Sequence, residues 1–203
     1  MNSLSRTLII GLGNPLLSDD GVGWRVAEEL RALLINAQPY APQGDVEPNH
    51  PSARPRLVQP SQYTLAVRGY RGQPPQYRGQ SIEIDTLAGG GLSLMERLVG
   101  YDRAILIDAM QSGQPAGTVR VFQLEELENP FAGHLGSTHE TNFQTALEIG
   151  RQLIAHLPQP GAINVVAIEA QTVYDFSEKL SPLVAAAVLA AVQAILELIK
   201  HNG

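Results

Sequence analysis

Apolar and polar positions along this chain follow two alternating periods. Residues 7–10 (TLII), 104–108 (AILID) and 163–170 (INVVAIEA) are short, continuously apolar runs, the pattern of strands covered on both faces. IEID (82–85) and TVRVFQL (118–124) read as two further strands, the latter joined to AILID by the turn-rich SGQPAG. Helical spacing appears between the strands. Val22, Val26, Leu30 and Leu33 predict a helix over 20–34, with Ser18 or Asp19 as candidate N-caps. LSLMERL (92–98) predicts a short helix, and 141–157 a longer one with Phe143, Ala146, Leu147, Ile149, Leu153 and Ile154 as its apolar face. The last helix opens at Ser181-Pro182, an N-cap followed by proline at the first helical position. Strands interleaved with helices predict an α/β fold: a three-layer sandwich with a mostly parallel, twisted central sheet and helices on both faces.

The 203 residues suffice for one well-cored domain, and a single domain over 1–203 is expected. One segment breaks the alternation. From Gln38 to Gln80 the chain is rich in Pro, Gln, Arg and Tyr (HPSARPRLVQPSQY, RGYRGQPPQYRGQ), where a βα unit needs only a few linking residues. We read an insertion at about 38–80, a partly disordered surface segment. Its alternative is an ordered hairpin that uses YTLAV (63–67) as an added strand and extends the strand at 82–85. Arg54, Arg56, Arg68, Arg71 and Arg78 with Tyr63, Tyr70 and Tyr77 give it the composition of a partner-docking arm.

Charge and composition then remove whole classes of function. A formal net charge of −6 argues against a general nucleic-acid or anionic-membrane binder. With no cysteine there is no disulfide, thiolate metal site or cysteine nucleophile. The N-terminal apolar stretch runs straight into a glycine turn rather than to a cleavage site. Residues 183–199 are apolar but alanine-rich and interrupted by Gln193 and Glu197, which predicts a buried helix rather than a membrane span. A soluble, cytoplasmic protein is expected.

The chemistry concentrates in GLGNPLLSDDGVG (11–23). A dinucleotide fingerprint requires a third glycine where this chain has Leu16, and no Gly-Lys-Ser/Thr follows to make a Walker loop. Two aspartates at such a turn would repel a phosphate and suit a cation. A carboxylate at the end of the first strand faces the crevice where open α/β sheets bind ligands. Asp108 ends the strand AILID on the same edge, and His139, in the turn GSTHETNF, can reach it. Asp20, Asp108 and His139 together offer two oxygens and an imidazole nitrogen, a set suited to Zn²⁺ or Ni²⁺ with positions left open for water or substrate. Plainer roles compete. Asp19 or Asp20 can cap the first helix, Asp108 can bond its own turn, His139 can be a surface residue, and His134 is a rival ligand. HETNF is not H-E-x-x-H, and no G-x-S-x-G elbow is present.

These residues resemble a family. GLGNPLLSDDGVGWRVAEEL, IEIDTLAGGGLSLMERLVGYDRAILIDAM, PAGTVRVF, STHETNF and IEAQTVYDFSEKLSPLVAAAV follow one another as in the [NiFe]-hydrogenase maturation proteases, over residues 6–200 apart from the insertion. The resemblance implies a phosphorylase/hydrolase-like sandwich and an endopeptidase that removes a C-terminal extension from the hydrogenase large-subunit precursor after nickel insertion. It assigns metal recognition and catalysis to Asp20, Asp108 and His139. The Ni²⁺ is then presented by the substrate, and Zn²⁺ or a similar divalent ion is an alternative occupant. Asp19 is left to hold the turn and cap the helix. The insertion and Ala170, where the family often has proline, depart from the pattern. Two other classes compete: a non-catalytic nickel-binding assembly factor, and a peptidyl-tRNA hydrolase-like esterase, whose chains share GLGNP but continue differently.

Overall fold

In the computed structural model, residues 5–36, 66–67, 76–77, 80–126, 143–153 and 156–201 are described. The strands are β1 (Ser5–Leu12), β2 (Ala66–Val67), β3 (Gln76–Tyr77), β4 (Gln80–Leu87), β5 (Arg103–Met110), β6 (Val119–Gln123) and β7 (Ile163–Glu169). They form one sheet in the order β2-β4-β1-β5-β7-β6, with β3 paired to β4. The pairs among β1, β4, β5 and β7, and the pair β2–β4, are parallel, whereas β6 and β3 run antiparallel to β7 and β4. The helices are α1 (Val22–Asn36), α2 (Gly91–Leu98), α3 (Phe143–Leu153) and α4 (Pro182–His201).

The continuous apolar runs are the central strands, as a two-sided burial requires. Along β5 and β7 successive side chains enter opposite cores. Ile105, Ile107, Val166 and Ile168 join α1 and α4 on one face, whereas Leu106, Met110, Val165 and Ala167 join α2 and α3 on the other. Edge strand β6 is half-exposed throughout, in keeping with its mixed sequence VRVFQ. These layers are the expected three-layer sandwich.

Two helical faces differ from the prediction. Leu34, not Leu33, completes the buried stripe of α1; Leu33 is exposed. Both lie close to helical phase with Leu30, and the groove between α4 and the sheet selects the residue four positions on. In α3 the buried face is Phe143, Ala146, Leu147 and Gly150, while Ile149 and Leu153 face outward. Gly150 is where α3 meets α2: an added β-carbon would stand 2.8 Å from the Met95 sulfur. Ile154 lies outside the described residues.

Part of the insertion is strand. Ala66–Val67 adds to the sheet parallel to β4, so these two residues supply a strand but not the hairpin partner, and 63–65 lie outside the described residues. The antiparallel partner of β4 is β3, with Tyr77 opposite Gln80. The helix α4 is long and apolar enough by composition to cross a membrane. Here it packs as a sandwich helix, with Val184, Ala187, Ala191, Val192, Ile195 and Ile199 buried against α1 and the sheet.

Candidate active site

Strand β1 delivers the chain into a tight turn that carries both aspartates. Gly13 has a left-handed φ of 116°, and a β-carbon there would collide with the Asp20 carbonyl. The Asn14 N–H donates to Asp20 Oδ2 at 2.7 Å, and Asn14 Oδ1 accepts from the Leu16 N–H at 3.0 Å. A short 3-10 turn, Ser18–Gly21, then leads into α1. Gly23 begins the close approach of α1 to the sheet: a β-carbon there would lie 2.5 Å from the Ile107 carbonyl and collide with that of Leu12. The glycines therefore serve backbone contact, letting the aspartate turn sit on the carboxyl ends of β1 and β5.

Asp108 lies at that same edge. Gly11 is level with Ile107 across the adjacent strands, which places Asp108 level with Leu12, one strand spacing of ~4.8 Å away. Its alternation with Leu106 and Met110 turns it to the α2/α3 side, and it is 3% exposed. Asp20, 7% exposed, flanks Gly13 just beyond Leu12. The turn and the strand end thus bring two buried carboxylates to one edge of the sheet.

His139 and His134 lie outside the described residues. The direction of α3 is informative nonetheless. The Gly100 N–H, just before β5, donates to the His156 carbonyl beyond α3. Thus α3 finishes near the amino edge, and Phe143, four residues after His139, begins it toward the carboxyl edge. Among the described residues there is no cluster of three metal-ligating side chains.

Asp19 differs from the expectation for it. Its carboxylate does not cap α1. Oδ2 accepts from the N–H groups of Gln171 (2.9 Å) and Thr172 (3.1 Å), and Oδ1 from that of Ser181 (2.6 Å). The fully buried side chain therefore closes the loop between β7 and α4 and places its charge at the N-terminus of α4. Adjacent aspartates have separate tasks, one internal to the scaffold and one at the crevice.

Glu169 is a site-edge residue that the sequence reading missed. It ends β7, is 2% exposed, and accepts from the N–H groups of Ser112, Gly113 and Gln114 and from Ser112 Oγ at 2.7 Å. Its signal was an acid closing a continuously apolar strand, where only a paired carboxylate is tolerated. Ser112 Oγ thus donates to a carboxylate that three backbone N–H groups also hold, which fixes the hydroxyl as part of the loop. Glu169→Ala should leave three N–H groups unpaired and raise hydrogen exchange at residues 112–114 by ~10-fold or more. Unchanged exchange there would show that the loop holds itself.

Other acids of the sheet are committed elsewhere. Asp85 on β4 pairs with Arg97 of α2. Glu83 accepts from the Tyr101 hydroxyl at 2.5 Å, and burial first, then this bond, push the phenol above its ordinary value. Arg6 lies over the Tyr101 ring, 4.6 Å from its centroid. Glu83, Tyr101 and Arg6 belong to the amino-edge side of the sheet, whereas Asp85, level with Ile10 nearer the carboxyl edge, is held by Arg97.

Two oxygen-donor side chains at one edge can hold a divalent cation and orient a water or carbonyl on it. Comparison with known proteins is consistent with the fold and its motifs. Residues 80–198 match the family described as HycI, hydrogenase maturation protease. The hydrogenase expression/formation protein HupD of Thiocapsa roseopersicina is 22% identical over 205 residues, spanning all of this chain and 72% of HupD. HoxM of Cupriavidus necator, another hydrogenase expression/formation protein, is 27% identical over 113 residues, 56% of this chain and 54% of HoxM. Among solved structures, the hydrogenase maturating endopeptidase HybD from E. coli superposes with a TM-score of 0.61 at 21% identity, over 98% of this chain and 94% of HybD. That likeness shows the fold.

Proposed function

Because this chain belongs to the hydrogenase maturation protease family, we propose that it is an endopeptidase that cuts the C-terminal extension from a [NiFe]-hydrogenase large-subunit precursor once nickel is in place. The observation that carries this reading is the pair Asp20 and Asp108, two buried carboxylates, one in the turn after β1 and one on β5, at the same edge of the sheet. The family match decides against the peptidyl-tRNA hydrolase alternative.

In this reading the nickel is part of the substrate. Asp20 and Asp108, with His139 as the third group, recognise the ion that the precursor presents, so an unloaded precursor offers them no ligand. Such an ion, met by Asp20 and Asp108, would supply Lewis-acid chemistry toward a carbonyl or a water in the hydrolytic step. His139 is a ligand or the general base of that step. The work takes place in the cytoplasm, and the Arg- and Tyr-rich insertion serves as a docking arm for the precursor.

Intact-mass spectrometry of a nickel-loaded precursor incubated with this protein tests the reading. Loss of a C-terminal peptide is expected with nickel and intact His139, and no loss with nickel-free precursor or with His139→Ala. Removing residues 43–64 should raise the precursor concentration needed for half-maximal rate. Nickel binding without any change in mass would make the protein an assembly factor instead.

A further inference from the structure

The loop from Ala170 to Ser181 is fastened to the aspartate turn on both sides of residues 173–176. Besides the three bonds to Asp19, Thr172 accepts from the Asp19 N–H, and Ser177 pairs with the turn in both directions. The Ser177 N–H donates to the Leu16 carbonyl at 2.9 Å, and the Ser18 N–H donates to the Ser177 carbonyl at 2.7 Å. Ser18 Oγ reaches the Lys179 carbonyl, and Arg25 reaches that of Glu178. Val173 packs onto the core. Between these anchors Tyr174 and Phe176 are each 82% exposed, and Leu16 beside them is 41% exposed.

Two aromatic rings held in water by a well-bonded loop are a poor arrangement for a surface with no partner. Aromatic side chains on such loops are the usual anchors of binding energy, because they bring large area at little cost in rotamer freedom. We propose that Tyr174, Phe176 and Leu16 form the docking patch for an extended, apolar segment of the precursor polypeptide next to the bond to be cut; this rests on the endopeptidase reading. The patch is continuous with the crevice. Leu16 and Leu17 stand three to four residues before Asp20, and Leu17 forms an isolated bridge with Ser177, so a segment lying on the rings is led past the carboxylate. Exposed acids and bases balance around the rings, Asp175 and Glu178 against Lys179 and Arg25, so the patch offers an anionic partner no net attraction and suits an apolar stretch of polypeptide.

The test is the double substitution Tyr174→Ser/Phe176→Ser in the full chain, assayed on a nickel-loaded large-subunit precursor and by retention on the same precursor immobilised. Neither ring is buried, so the melting temperature should stay within a few degrees of the parent. The expected result is a KM raised ~10-fold or more with kcat within about twofold. An unchanged KM, or equal retention of both proteins, overturns the patch while leaving the endopeptidase reading intact. If neither protein cuts the precursor but only the parent is retained, the patch stands and the endopeptidase reading falls.

Discussion

Asp20→Asn is expected to slow removal of the C-terminal peptide by ~100-fold or more while the melting temperature stays within about 2 °C of the parent. The two halves of that result have separate causes. In the folded protein the Asp20 carboxylate accepts the Asn14 N–H at 2.7 Å, and an asparagine oxygen can accept the same bond, so the turn survives. What the amide loses is the negative charge, and a neutral amide is a poor partner for a divalent ion. Asp108→Asn should behave alike, since Asp108 is buried at the adjacent strand end. If both carboxylates act on one ion, the double variant should be scarcely worse than either single one, because groups that work as a unit lose their effect together. Rates and melting curves of the three variants decide the matter. A fully active Asp20→Asn would reduce Asp20 to a turn acceptor and remove it from the chemistry.

Much of this was legible in the sequence because burial on two faces writes a simple pattern. TLII, AILID and INVVAIEA are the short, continuously apolar runs that a strand covered on both faces needs, and they lie in β1, β5 and β7. The carboxyl edge followed, since parallel strands put their ends together, and with it the position of Asp108 on β5 and of the aspartate turn after β1. Local sequence fell short where a partner far along the chain decides the outcome. Leu33 and Leu34 differ by one helical step, and only the packing of α4 separates them. The role of Asp19 depends on Gln171, Thr172 and Ser181, more than 150 residues away. From the sequence an aspartate ahead of a helix reads as its cap, and nothing nearby says that it serves the N-terminus of another helix. Glu169 is the same lesson in reverse: an acid at the end of a buried strand announces a partner, but not which loop supplies it.

Asp19→Ala separates scaffold from chemistry most sharply, with an expected loss of about 3–5 kcal/mol of folding stability. The carboxylate is fully buried, and its two oxygens accept from three backbone N–H groups. Alanine takes the acceptor from those part-buried groups, at ~1–3 kcal/mol each. It also removes a negative charge from the N-terminus of α4, worth up to about 1 kcal/mol more. Against a total of ~5–15 kcal/mol for an ordinary domain the loss is large, and at 2–4 °C per kcal/mol it should lower the melting temperature by ~10 °C or so. Asp19→Asn should fall between, because one oxygen remains to accept while the NH₂ group faces an N–H donor. Well below its melting temperature the alanine variant should still remove the C-terminal peptide at a rate near the parent's, the opposite of the Asp20→Asn profile. Urea unfolding of the two neighbouring variants reads the contrast directly. If Asp19→Ala melts with the parent, the loop between β7 and α4 is held by its other bonds, and the division of labour between the adjacent aspartates is wrong.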